Sequence, residues 1–144
     1  MCKERETLSR ERRAILNAAI ERLIPSDDGP GASEADVILY VERAIYDRSW
    51  HFFHPLLERG LDFFQSIAQH EFEKSFIDCS NDEQNVVLGK AQRFPNNEAR
   101  RFFDHLLDLA LEGFLCDPIH LGNKDYIGWK FIGYDPTEAD TCEV

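Results

Sequence analysis

The densest apolar pattern in the 144-residue chain lies between residues 97 and 114 and has the spacing of an α-helix. Asn96 or Asn97 is placed to cap its start. A helix with so wide an apolar surface has to be covered by other elements, so we expect it to be central in the fold. Its apolar residues are Phe102, Phe103, Leu106, Leu107, Leu109, Ala110, Leu111 and Phe114.

Four earlier segments, at about 9–24, 33–48, 55–70 and 80–91, also show helical periodicity. Ser9 is placed to cap the first of them, and Ser80 with Glu83 forms a capping box that opens the fourth. Ser33 and Asp36 predict a similar start for the second. We therefore predict an all-α fold of about five helices in a compact bundle. We expect residues 1–144 to form one domain, with residues 1–8 flexible.

Length and charge exclude several classes of protein. A chain of this length buries roughly 68% of its unfolded surface, which is enough for one real core. Asp and Glu number 27 against 16 Lys and Arg, and the net charge of −11 disfavours nucleic acid and anionic membrane surfaces as partners. No run of 18 apolar residues is present, so we expect no membrane span in this chain. A folded protein is still possible as the partner.

Residues 117–136 break the helical pattern. Gly122, Gly128 and Gly133 alternate there with aromatic residues, which predicts an ordered loop in place of a regular helix or strand. The glycines indicate backbone positions that need a positive φ or a close approach. The aromatic residues supply apolar surface for packing. Two interpretations remain: the loop docks on a partner, or it folds back as a cap on its own helices.

The same stretch resembles the terminal signature of the gluconate 2-dehydrogenase subunit 3 family. A second, weaker match lies at residues 23–25 and 27–32, so the likeness brackets nearly the whole chain. The residues that carry the main resemblance are Glu112, Gly113, Phe114, Asp117, Pro118, Gly122, Asn123, Gly128, Trp129, Ile132, Gly133 and Tyr134.

The resemblance implies a small helical subunit of a membrane-associated sugar or sugar-acid dehydrogenase. In that family the FAD is expected in a separate large subunit, and the electrons leave through a cytochrome subunit. The chain would then be a non-catalytic helper that stabilises, matures or delivers the large flavoprotein subunit. On this interpretation the partner-binding residues are Asp117, Gly122, Asn123, Gly128, Trp129, Gly133 and Tyr134.

Many members of the family carry an export signal on the small subunit. In this sequence Arg12 and Arg13 are not followed by the apolar stretch that a secretory or twin-arginine signal requires. As written, the chain is therefore expected in the cytoplasm. A periplasmic or membrane-peripheral location through a partner is the alternative.

The sequence shows little chemistry of its own. No Glu-x-x-His pair, nucleophile elbow or G-x-G-x-x-G fingerprint is present, so we predict no catalytic, cofactor-binding or metal-binding residue in this chain. Without a metal, His51 and His54 would be a surface or interface pair. Asp27 and Asp28 would belong to an exposed turn. The stripe of Asp104, Asp108 and Glu112 would form a solvated or interfacial surface. The alternative function is a free-standing adaptor or a metal-binding protein that uses such residues.

The four cysteines, Cys2, Cys79, Cys116 and Cys142, are too far apart in sequence for a zinc or thioredoxin motif. A bridge from Cys116 or Cys142, within the chain or to a partner, is the alternative to free thiols.

Overall fold

The computed structural model of the chain describes residues 8–47 and 50–139, and these ranges contain helices and turns but no strand. The predicted all-α fold class is confirmed. Residues 1–7, most of the segment expected to be flexible, lie outside the described ranges, as do Cys2 and Cys142. Leu8 itself is buried, and its N–H donates to the hydroxyl of Tyr46 at 3.2 Å. The long helices are α1 (Arg10–Leu23), α2 (Val37–Tyr46), α3 (Phe53–Phe72), α4 (Asn81–Arg93) and α5 (Asn97–Leu115).

Three of the predicted helix starts are confirmed by their hydrogen bonds. The hydroxyl of Ser9 accepts from the N–H of Arg12 at 3.2 Å. Ser80 and Glu83 form the predicted capping box, with distances of 3.2 and 2.9 Å. The side chain of Asn96 accepts from the first turn of α5, at 2.7 Å from the N–H of Glu98. Each cap satisfies backbone N–H groups that have no partner inside their own helix.

The predicted start of the second helix is wrong. Helix α2 begins at Val37, and Asp36 before it has φ 52° and no side-chain cap. The N–H of Ser33 donates to the carboxylate of Glu21 at 2.9 Å, and the N–H of Val37 donates to the carbonyl of Ala32 at 3.1 Å. Residues 33–36 therefore form a turn, because a residue on another helix satisfies the N–H of Ser33.

Helix α5 is central, as predicted, since it contacts α1, α2, α3 and α4. Its Phe102 is stacked on Phe53 of α3 at 6.2 Å between ring centroids and lies 5.1 Å from Phe64. Phe64 in turn stacks on Phe76 at 5.7 Å. All four rings are almost fully buried, and such aromatic pairs add to the free energy gained from apolar burial alone.

The short link between α3 and α4 is fixed by Phe76, which lies in a 3₁₀ turn, Phe76–Asp78. Its N–H donates to the side chain of Gln65 at 2.9 Å. Its carbonyl accepts from the amide of the buried Gln84 at 3.0 Å. These bonds satisfy the polar backbone of a residue whose ring lies in the core.

Two helix-interior glycines test this packing. A Cβ on Gly60 of α3 would overlap the ring of Phe102, whereas a Cβ on Gly89 of α4 would meet only the Arg93 side chain at 3.4 Å. Gly60→Ala should lower the free energy of unfolding by about 1–3 kcal/mol through overpacking. Gly89→Ala should raise it by up to about 1 kcal/mol because alanine favours the helix. Urea unfolding followed by circular dichroism measures both, and equal effects of the two substitutions would contradict the packing described.

Candidate functional site

The C-terminal segment, residues 117–136, contains more regular structure than the predicted loop. It contains two 3₁₀ turns, Pro118–His120 and Lys124–Tyr126, followed by the short helix α6 (Ile127–Ile132) and the start of α7 (Pro136–Ala139). Helix α6 packs on α5. The sequence pattern missed α6 because its glycine serves a close packing contact and does not break the helix.

Asn123 is the buried centre of the C-terminal segment, with no exposed surface. Its backbone N–H donates to the carbonyl of Gly113 at 2.8 Å, and its side-chain amide donates to the carbonyl of Cys116 at 2.8 Å. Its side-chain oxygen accepts from the N–H groups of Gly128 at 2.7 Å and Trp129 at 3.3 Å. One side chain thus joins the last turn of α5 to the first turn of α6.

The three glycines have the two roles that the sequence predicted. A Cβ on Gly122 would overlap the carbonyl of Gly113, and a Cβ on Gly128 would overlap the carbonyl of Phe114. Gly133 ends α6 with φ 74°, in the left-handed region that favours glycine. The first two therefore allow the segment to lie directly against the backbone of α5.

Trp129 is half-buried and is attached to the same end of α5. Its indole N–H donates to the carbonyl of Leu115 at 2.7 Å. Its ring contacts those of Tyr126 and Tyr134, with centroid distances of 5.3 and 5.1 Å. The indole therefore supports two more exposed tyrosines.

The two stretches that carry the family resemblance lie side by side. The ring of Phe131 covers Gly29, where a Cβ would overlap it, and also lies 6.3 Å from the ring of Phe114. The N–H of Lys124 donates to the carbonyl of Ala35 at 3.2 Å, just beyond the loop of residues 26–32. The folded chain therefore brings this loop against the C-terminal segment.

Glu21 of α1 holds that loop in place. Its carboxylate accepts from the N–H and the hydroxyl of Ser26 at 3.1 and 2.6 Å, and from the N–H of Ser33 at 2.9 Å. Burial raises the pKa of Glu21, but the hydrogen bonds from Ser26 and Ser33 outweigh it, so the pKa lies below its ordinary value.

The C-terminal segment is rich in exposed apolar side chains. It carries six of the twelve large hydrophobic side chains that are exposed in the described ranges, including Ile119 at 74% and Phe131 at 57%. We call this set the exposed apolar face. Its members are Ile119, Leu121, Tyr126, Phe131, Ile132 and Tyr134.

The structure divides the predicted partner-binding residues into two groups. Gly122, Asn123 and Gly128 are buried and make their contacts within the chain, while Trp129 is half-buried. Asp117, Gly133 and Tyr134 are exposed. Partner binding by these residues stays a prediction, and only the exposed ones present a surface to another protein in this conformation.

Several exposed residues of the face, among them Ile119, Tyr126, Phe131 and Ile132, were not selected from the sequence. The alternation of glycine and aromatic residues selected the segment as a whole. It gave no indication of which side chains point outward, because that depends on how α6 packs on α5.

The gluconate 2-dehydrogenase subunit 3 family matches residues 10–136 of this chain. The chain belongs to this family. The family's description is that of one subunit of a dehydrogenase complex, so its members are named for an assembly with other subunits. No curated protein and no solved structure shows significant similarity to the chain.

The two histidines considered for a metal differ in their exposure. His54 is buried, with its ring edge-on to Tyr46 at 5.6 Å and its Nε2 2.9 Å from a carboxylate oxygen of Glu58, in ion-pair but not hydrogen-bond geometry. Glu58 also pairs with Arg12 at 3.0 Å. His51 is exposed. Within residues 8–47 and 50–139, no three His, Cys, Asp or Glu residues are grouped so that they could hold a metal ion.

The remaining candidates also have defined environments. Glu112 accepts a hydrogen bond from the hydroxyl of Tyr40 at 2.9 Å, and burial together with this bond raises the pKa of Tyr40. Cys79 and Cys116 are free thiols whose pKa values are raised by burial. None of the helices in the described part of the chain has the length and apolar character needed to span a bilayer.

The role of Asn123 can be tested by Asn123→Ala. The substitution leaves the buried N–H of Gly128 and the carbonyl of Cys116 without their partner, so the free energy of unfolding should fall by about 1–3 kcal/mol. Amide hydrogen exchange at Gly128 and Trp129 should accelerate. The control Asn85→Ala changes an exposed residue of α4 and should stay within about 0.5 kcal/mol of wild type. Unchanged exchange at Gly128 would exclude Asn123 as the support of α6.

The lowered pKa of Glu21 predicts that the stability of the fold depends on pH. Because its folded-state pKa is lowered, its contribution to stability is present above the unfolded-state pKa and is lost as the pH falls through the folded-state value. Glu21→Gln should therefore be less stable than wild type near pH 7, and the difference should shrink below about pH 4. The free energy of unfolding of both forms, measured between pH 7 and about pH 4 and below, tests this prediction. Glu73→Gln, at an exposed position, is the control. A difference that does not change with pH would contradict the mechanism.

Proposed function

We propose that this chain is the non-catalytic small subunit of a dehydrogenase complex. It binds and stabilises a large FAD-dependent sugar, sugar-acid or alcohol dehydrogenase subunit and helps to mature or deliver it. The FAD belongs to that large subunit, and a cytochrome subunit is a further candidate member of the complex. The observation that carries the proposal is the exposed apolar face, which lies within the part of the chain that matches a family of dehydrogenase subunits.

The composition of the face supports a protein contact. Large exposed apolar patches on folded domains mark interaction sites more often than chance. Tyrosine and tryptophan are enriched among the residues that dominate binding energies, and Tyr126, Trp129 and Tyr134 form one contiguous group of rings.

The support beneath the face is equally important for binding. Asn123 and the indole N–H of Trp129 fix the C-terminal segment to α5 by hydrogen bonds. Side chains held in place before binding lose less conformational entropy on association, which favours affinity. The buried residues of the family signature thus contribute indirectly, by keeping the exposed residues in a binding conformation.

The direct test is purification of the tagged chain from its native source. A co-eluting large protein with the absorbance of a flavin and near-equal stoichiometry would support the proposal, and the partner's activity would then identify the substrate class. A chain that elutes alone without metal would favour a free-standing adaptor. A chain that elutes alone with stoichiometric metal would favour the metal-binding alternative.

A matched pair of variants tests the surface itself. The double substitution Ile132→Ser and Tyr134→Ser removes two exposed residues of the face, which are 55% and 44% exposed. It should weaken the complex about 10-fold or more while the helices stay folded by circular dichroism. The control, Ile77→Ser with Val86→Ser, changes side chains that are 50% and 43% exposed outside the segment. Equal weakening by both pairs would exclude the face as the binding surface.

A further inference from the structure

Resting on the subunit function proposed above, we propose that the flavoprotein surface that receives the exposed apolar face is bordered by lysine and arginine side chains. These cations would lie against the carboxylates of Asp104, Asp108 and Glu112 on α5. Association of the two subunits would then be accelerated by electrostatic attraction, whereas the apolar contacts would supply most of the affinity.

The charges of α5 are divided along its length. Arg100 and Arg101 lie in its N-terminal part, Asp104 lies near its middle, and Asp108 and Glu112 lie in the part that leads into the C-terminal segment. All five side chains are exposed. The acidic end of α5 is therefore the end that carries the exposed apolar face.

This arrangement is unfavourable for the isolated helix. The stripe has the i, i+4 spacing at which like charges destabilise a helix. Glu112 lies in the last turn, where the helix dipole disfavours an anion and where α5 has no basic residue. Helix stability therefore does not explain these carboxylates, and a cationic surface placed beside them would relieve both effects.

Several other carboxylates on the described surface are neutralised by partners within the chain. These ion pairs join Arg12 to Glu58 and Asp62, Arg13 to Glu42, Arg59 to Glu98, Lys74 to Glu83 and Lys90 to Glu71. Asp104 and Asp108 form no ion pair with any residue in the described ranges. Their charges are available to a second protein.

The stripe runs along α5 toward the segment that carries the exposed apolar face. Leu111 lies three residues after Asp108 on the same side of α5 and is 43% exposed, so the stripe has an exposed apolar neighbour on its own helix. Asp27 and Asp28 lie exposed on the border of the face, next to Gly29 and the ring of Phe131. They also form no ion pair in the described ranges.

Basic side chains near the face are fewer. Lys124 lies 3.8 Å from Asp36, and Arg43 lies 3.5 Å from the carbonyl of Ile119, which leaves Lys130 as an exposed cation on α6. The border as a whole is acidic. A complementary partner therefore presents an apolar surface with a basic border.

The experiment measures the association and dissociation rates of the two subunits at several salt concentrations. The probe is the flavoprotein subunit that co-purifies with the tagged chain, separated from it and bound again. Three forms are compared: wild type, Asp104→Asn with Asp108→Asn, and the control Glu73→Gln with Asp78→Asn. The control removes the same charge from two exposed positions, one at the end of α3 and one in the link between α3 and α4. This link packs on α1 and α3.

We expect the wild-type association rate to fall about 10-fold or more between roughly 0.02 and 0.5 M salt, because salt screens the attraction. The Asp104/Asp108 variant should associate roughly 3- to 10-fold more slowly at low salt, with a weaker salt dependence and a nearly unchanged dissociation rate. The control should match wild type.

Four outcomes would overturn the inference. A salt-independent association rate, or an equal slowing by the control variant, would leave the subunit function intact and show that the border of the partner is not basic. An association rate that rises with salt would show that the border is acidic. If no complex with a flavoprotein forms at any salt concentration, the proposed function itself fails together with this inference.

Discussion

The amide of Asn123 is the interaction on which the rest of the site depends. It bonds to the end of α5 on one side and to the first turn of α6 on the other, and Asn123 itself has no exposed surface. Its position requires the backbone of the C-terminal segment to lie directly on that of α5, and Gly122 and Gly128 allow this approach. Without these contacts, the aromatic residues would belong to an unsupported chain end.

The family signature therefore combines two kinds of residue. Its buried members satisfy backbone groups and permit close packing, while its exposed members, such as Tyr134, cover part of the outer surface. The two interpretations of the segment that the sequence left open are compatible for this reason. The segment folds back on its own helices, and in doing so it presents a fixed apolar surface to the outside.

The charged side chains are also divided between those paired within the fold and those exposed on its surface. Ion pairs between helices neutralise the carboxylates of α3, such as Glu58 with Arg12 and Glu71 with Lys90. The carboxylates of the C-terminal half of α5 face outward and lack such partners in the described ranges. Charge that is unfavourable for a helix and unneutralised by the fold is consistent with a role in association, as proposed.

The sequence by itself determined the five long helices and the starts of three of them. Apolar periodicity and the caps Ser9, Ser80 and Asn96 are local signals, because the residues that satisfy each helix start lie within three positions of it. Only the tertiary structure decided the start of α2, since the N–H of Ser33 binds Glu21 on another helix. It alone also decided which residues of the C-terminal segment are buried, because exposure there depends on how α6 packs against α5, and no local pattern records a contact between distant parts of the chain.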